Sequence, residues 1–127
     1  SDNGRSWLRL DEFYNGSLFD ITRTSAMSLL AVGLRGHAFQ STDQGASWQQ
    51  LELDETATLN SVFSDQTGRL FIVGNAGSLL VSKDNAESFA DLSRADGKAI
   101  VNGLVWREHL LLVTETGIKT IKLSELE

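Results

Sequence analysis

Trp7, Trp48 and Phe89 stand 41 residues apart and then 41 again, and Asp2, Asp43 and Asp84 keep both intervals five residues upstream. Gly36 and Gly77 repeat the same period, and Gly117 follows 40 later. Val32, Val73 and Val113 show the same shortening by one residue, as a single deletion in the third copy would produce. Three independent registers therefore agree on tandem copies of one supersecondary unit, each able to bury its apolar surface only against its neighbours.

Within each copy the apolar residues alternate or run in short stretches bounded by Gly, Asn, Asp and Ser. None sustains a helical period for a dozen residues, so the unit reads as strands joined by turns. The first copy predicts strands near Leu18 to Arg23, Ser28 to Leu34, His37 to Ser41 and Trp48 to Leu53. The second predicts Leu59 to Ser64, Arg69 to Asn75, Ser78 to Ser82 and Ser88 to Leu92, and the third Ile100 to Trp106, Leu110 to Glu115 and Ile118 to Leu123. Helix is expected nowhere except as a turn in Ser124 to Glu127.

Four strands repeated at about 40 residues is the period of a propeller blade, whose small sheet buries both faces against neighbouring blades. Runs such as Leu70 to Val73 and Leu110 to Val113 fit middle strands covered on both sides. A β-solenoid expects shorter rungs, and a sandwich does not repeat in sequence. The fold expected is thus all-β, a β-propeller segment of about three four-stranded blades in one unit over 1–127, with repeat equivalents near 1–53, 54–94 and 95–127.

Ser41-Thr42-Asp43-Gln44-Gly45-Ala46-Ser47-Trp48 resembles the Asp-box of the bacterial neuraminidase repeat, Ser-x-Asp-x-Gly-x-Ser/Thr-Trp. Asp2, Gly4 and Trp7 match the same box with its first position cut off, and Ser82, Asp84, Ser88 and Phe89 form a third copy with Ala86 in place of Gly. The chemistry expected is structural. The carboxylate accepts from N–H groups of its own turn, Gly supplies a positive φ, and the ring packs between sheets. Ala86 predicts a looser turn in the third box. Reading Asp43 as a catalytic acid or a calcium ligand is the sharper and less favoured alternative.

Val32-Gly33-Leu34-Arg35-Gly36 and Val73-Gly74-Asn75-Ala76-Gly77 each lead through a strand into a box. The combination resembles the photosystem II assembly and stability factor-like propellers. That resemblance implies an extracytoplasmic, periplasmic or lumenal, non-enzymatic protein, and relatives that are larger, with about seven blades. Because these glycines sit between two strands and not before a helix, a hairpin is the better reading than a phosphate loop.

The chain opens on the fourth strand of one blade and closes on the third of another, so its ends can complete each other. The truncated box at Ser1 favours a clipped piece of a longer propeller. Unpaired edges predict self-association in either case, with two copies joined head to tail into six blades as the preferred form.

Enzyme and cofactor readings find little support. A sialidase needs an arginine cluster, a tyrosine nucleophile with an acid partner and an aspartate acid/base. Tyr14, the sole Tyr, lies in a connecting loop, and Arg5, Arg23, Arg35 and Arg69 form no convincing set. His37 and His109 lie near no nucleophile elbow. Two His and no Cys leave a transition-metal site unsupported and exclude disulfides. No cofactor is expected. A net charge of −6 without a basic cluster argues against nucleic acid, and the shortness of the apolar runs, none longer than Leu110 to Val113, against membrane insertion.

Propellers usually bind on the rim built by the connections between blades and by the hairpins of the middle strands. Asp11, Glu12, Asp54 and Glu55 recur there, with Asp96 as a further acid, and form an acidic rim suited to a basic partner surface. Tyr14, Asn15 and Arg35 supply adhesive contacts beside it. The function expected is a non-catalytic protein-interaction or assembly scaffold, with a glycan-binding or sialidase-like module as the alternative.

Overall fold

The computed structural model describes residues 16–25, 27–53, 55–94 and 96–126. Expectations that fall on Asp2, Gly4, Trp7, Asp11, Glu12, Tyr14, Asn15 and Asp54 lie outside them. Three antiparallel meanders follow one another along the chain. The first contains β1 (Leu18–Arg23), β2 (Leu29–Gly33), β3 (Ala38–Ser41) and β4 (Gln49–Leu51). The second contains β5 (Leu59–Ser64), β6 (Leu70–Gly74), β7 (Leu79–Ser82) and β8 (Ala90–Asp91), and the third β9 (Ile100–Trp106), β10 (His109–Thr114) and β11 (Gly117–Lys122). A single 3-10 turn, Leu123–Leu126, follows β11.

The middle sheet is buried on both faces, which explains its unbroken apolar run. Pleating sends alternate residues of Leu70-Phe71-Ile72-Val73 to opposite sides. Leu70 and Ile72 join Leu30, Val32, Ala38 and Leu59 in a core against the first sheet. Phe71 and Val73 join Leu79, Ile100, Leu110 and Leu112 in a second core against the third sheet. Phe63 stacks on Phe71, with ring centroids 5.3 Å apart.

Each sheet carries a register shift at one place in its first strand: between Leu18 and Asp20, between Leu59 and Ser61, and at Ile100–Asn102 opposite Val113 and Thr114. The residues passed over, Phe19, Asn60 and Val101, again stand 41 apart. These bulges set the orientation of the following residue in each copy, Asp20, Ser61 and Asn102.

The fourth strands are shorter than their sequence predicts. Pairing covers Gln49–Leu51 and Ala90–Asp91 because Ser47 and Ser88 spend their N–H groups on Asp43 and Asp84 instead of a ladder. The glycines of the Val-Gly-x-x-Gly hairpins have two separate causes. A Cβ on Gly33 or Gly74 would stand 2.1 or 2.2 Å from the carbonyl oxygen of Ser17 or Thr58. Gly36 and Gly77 instead occupy the second left-handed position of a tight turn, with Arg35 and Ala76 in the first at φ 58° each.

Candidate protein-interaction surface

The two ends of the sheets are built from different chemistry. At one end lie the Ser41–Trp48 and Ser82–Phe89 turns. Asp43 Oδ1 accepts from the Ser41 hydroxyl (2.8 Å) and the Ser47 N–H (2.9 Å), and Oδ2 accepts from the Ser47 hydroxyl (2.6 Å). Ser41 Oγ in turn accepts from the Gly45 N–H at 2.7 Å, and the Trp48 indole donates to the Gly45 carbonyl at 3.1 Å. Hydrogen bonds to Ser47 and Ser41 hold the Asp43 carboxyl down to about 2 from its ordinary 3.8, the Ser47 hydroxyl having the largest effect.

Asp84 makes the same bonds with Ser82 and Ser88, and its carboxyl is lowered chiefly by the Ser88 hydroxyl. The looser third turn expected from Ala86 is therefore a correction. Ala86 adopts φ 72°, its N–H reaches Ser82 Oγ at 3.0 Å, and its buried methyl joins the core beside Phe89. Packing of that methyl offsets the cost of the left-handed backbone. Trp48 is half-buried, whereas the largest fully buried side chain among the described residues is Phe71.

At the opposite end the hairpins Leu34–Gly36 and Asn75–Gly77 meet the connections between sheets. Gly36 lies so close to Glu55 that an added Cβ would stand 2.1 Å from its carbonyl oxygen. The Arg94 N–H donates to the Gly77 carbonyl at 2.7 Å, and the Glu115 N–H to that of Ala99 at 3.1 Å. Backbone bonds thus hold the rim in place.

Of the rim acids, Glu55 is engaged within the chain. Its Oε1 accepts from the Thr56 and Ala57 N–H groups at 2.9 Å each, and its Oε2 from the Ser78 hydroxyl at 2.9 Å. It braces a connection against the next hairpin. Asp96 is exposed and caps its own turn by accepting from the Lys98 N–H at 3.0 Å. Arg35 is exposed on the neighbouring hairpin, and Arg94 and Lys98 are exposed nearby, so the described part of the rim is mixed in sign.

Sequence reasoning passed over a group of basic side chains, with Asp65 and Glu108 among them, at the other end. Arg69, Arg107, His109 and Lys122 line two adjoining clefts between the second and third sheets. Arg69 Nε pairs with Asp65 at 3.1 Å, while its Nη1 is buried with no hydrogen-bond partner in the described structure. Only the packing of the second sheet against the third brings these residues together. Among the described residues, no group of three or more His, Cys, Asp or Glu could hold a metal ion, and no helix is long and apolar enough to cross a membrane.

Comparison with solved structures decides the architecture. YCF48 bound to D1 peptide superposes with a TM-score of 0.71 over 84% of this chain and 37% of that one, at 22% identity. YCF48 from Cyanidioschyzon merolae superposes with a TM-score of 0.77 over 93% of this chain and 40% of that one, at 17% identity.

The chain folds as a β-propeller segment.

The three sheets of the described residues are blades, and the segment spans about two fifths of the length of either YCF48 chain. These are the propellers of the photosystem II assembly-factor type that the hairpin and box pattern resembles. At these identities the likeness is one of fold. No family model matches the chain, and no curated protein matches it in sequence.

Proposed function

We propose that this chain is a non-catalytic protein-interaction or assembly scaffold of the Asp-box propeller type, acting outside the cytoplasm and self-associating. The observation that carries the reading is the rim, where backbone contacts tie each hairpin to a connection at the end of its own blade and hold both in one geometry before any partner arrives. A preorganised surface loses less entropy on binding than loops ordered by the partner. YCF48 bound to D1 peptide, a propeller of like fold, supports a peptide or protein as the ligand class.

The contacts proposed are Arg35, Asp96, Asp11, Glu12, Tyr14, Asn15 and Asp54. Glu55 belongs to the same rim as a brace. The net charge of −6 favours capture of a basic segment. A lysine-rich peptide titrated against the chain at low and physiological salt tests this. Association should slow as salt rises, because exposed charges are screened beyond about 8 Å at physiological ionic strength. Reversing Asp11, Glu12, Asp54 and Asp96 together should slow capture further without unfolding the chain. Binding indifferent to that reversal would overturn the rim, and selective binding on a glycan array without peptide binding would favour the glycan module.

A further inference from the structure

The three blades solve one local problem with different residues. After each second strand, the first turn residue donates its N–H to the carbonyl of the residue that precedes the first strand. Leu34 donates to Ser17 at 3.1 Å, Asn75 to Thr58 at 2.9 Å and Glu115 to Ala99 at 3.1 Å. One residue is passed over at the bulge of each first strand, Phe19, Asn60 or Val101. Bulge and turn therefore form with Phe19 and Leu34, or with Val101 and Glu115, as they do with two asparagines. The backbone does not require the pair Asn60 and Asn75.

That pair makes bonds closed to Phe19 and Val101, whose side chains have no polar atom. Asn60 Nδ2 donates to Asn75 Oδ1 at 3.0 Å and to the Ile100 carbonyl, at the start of the third blade, at 2.9 Å. A main-chain carbonyl only accepts, so the nitrogen of the Asn60 amide must face it, and both its hydrogens are then spent. The oxygen of Asn75 is in turn fixed towards Asn60. What remains of the Asn75 carboxamide is its NH2 group, on an exposed side chain of the rim. No hydrogen bond among the described residues engages it.

A group of this kind reads acceptors and rejects donors. A peptide crossing the rim presents one acceptor at every residue, its main-chain carbonyl. Donors aimed by a chain of bonds before the ligand arrives lose less entropy on binding than a freely turning amide. We infer that Asn75 is a peptide-reading residue of the rim, donating to a main-chain carbonyl of the bound segment, and that Asn60 is the positioning residue that aims it. This rests on the rim as the binding surface and adds to it a contact that does not depend on charge.

The test uses the intact chain, labelled with nitrogen-15, and the lysine-rich peptide. On titration the Asn75 side-chain N–H resonances should shift with the bound fraction. Asn75→Ala should weaken binding about 5-fold, the order expected for one neutral hydrogen bond. Asn60→Val, which installs the residue type that the third blade carries at its bulge, should weaken binding by a similar factor, and the double variant no further. Both single variants should keep the wild-type far-ultraviolet spectrum, and Asn60→Ala replaces Asn60→Val should the latter unfold. Peptides that each carry one ester in place of a main-chain amide locate the acceptor, because an ester carbonyl accepts more weakly. One of them should bind wild type more weakly than the parent peptide does, and bind Asn75→Ala no differently from it.

A peptide that binds wild type and Asn75→Ala equally would overturn the contact and leave the rim standing. Loss at Asn75→Ala with none at Asn60 would overturn the positioning role. Ester effects identical in wild type and Asn75→Ala would overturn the main-chain carbonyl as the acceptor. A wild-type chain that binds no such peptide would overturn the rim, and this contact with it.

Discussion

The Ser61 hydroxyl lies 2.8 Å from the carboxylate of Asp20, 41 residues upstream and one blade away. The same hydroxyl lies 2.7 Å from Asn102 Oδ1, and its one hydrogen serves one acceptor at a time. Asp20 Oδ2 also accepts from the Val62 N–H at 2.9 Å, and its Oδ1 from Ile21 N–H at 2.9 Å. Asp20, Ser61 and Asn102 thus join three blades along their first strands. Ser61 is buried, so Ser61→Ala should destabilise the chain by about 1–2 kcal/mol in urea unfolding, through the lost bond and a poorly satisfied neighbour. An unchanged midpoint would show that the contact is incidental.

Core substitutions should rank by burial and not by ring size. Phe71 is fully buried and stacked on Phe63, so Phe71→Ala should cost about 3–5 kcal/mol through lost burial and a cavity. Trp48, half-buried beside Gly45, should cost less when truncated. Equilibrium unfolding of the two variants decides the order, and a larger loss at Trp48 would place the principal packing elsewhere.

Backbone geometry offers changes of opposite sign. Gly74→Ala would force a methyl to within 2.2 Å of the Thr58 carbonyl oxygen and should destabilise by about 3 kcal/mol or more. Ala76 is exposed and held at φ 58° before Gly77. Ala76→Asn, which restores the Asn-Gly pair favoured in such turns, should stabilise by about 0.5–1 kcal/mol. Thermal melts that moved the two variants in the same direction would contradict this geometry.

The acid limb of stability should depend on the turn carboxylates. Asp43 and Asp84 bind protons less readily folded than unfolded, so their contribution is complete above the ordinary carboxyl value of 3.8. For Asp43 it is lost as pH falls towards about 2. Melting curves from about pH 6 to about pH 2 should fall more gently for the double variant Asp43→Asn, Asp84→Asn than for wild type. Each single variant should remove a comparable part, since the two turns share one bonding pattern. Identical acid limbs in all variants would mean that other groups dominate.

Strand positions were legible in the sequence because alternation and turn residues are local and the 41-residue period repeats them. Leu18–Arg23, Leu59–Ser64 and Ile100–Trp106 match their expected bounds for that reason. Whatever depends on one blade touching another was decided by tertiary structure. Asp, Ser and Asn share no residue type, so nothing in their order announces that Asp20, Ser61 and Asn102 meet. Glu55 reads in sequence as a partner-facing rim acid next to Asp54, but in the fold its carboxylate accepts from the Ser78 hydroxyl. Ala86 looked unsuited to its turn because its methyl gains from a core assembled across two blades, a term that no local propensity contains. Trp48 and Phe71 differ in burial for the same reason: periodicity places a ring on a face, but the neighbouring sheet determines how completely that face is covered.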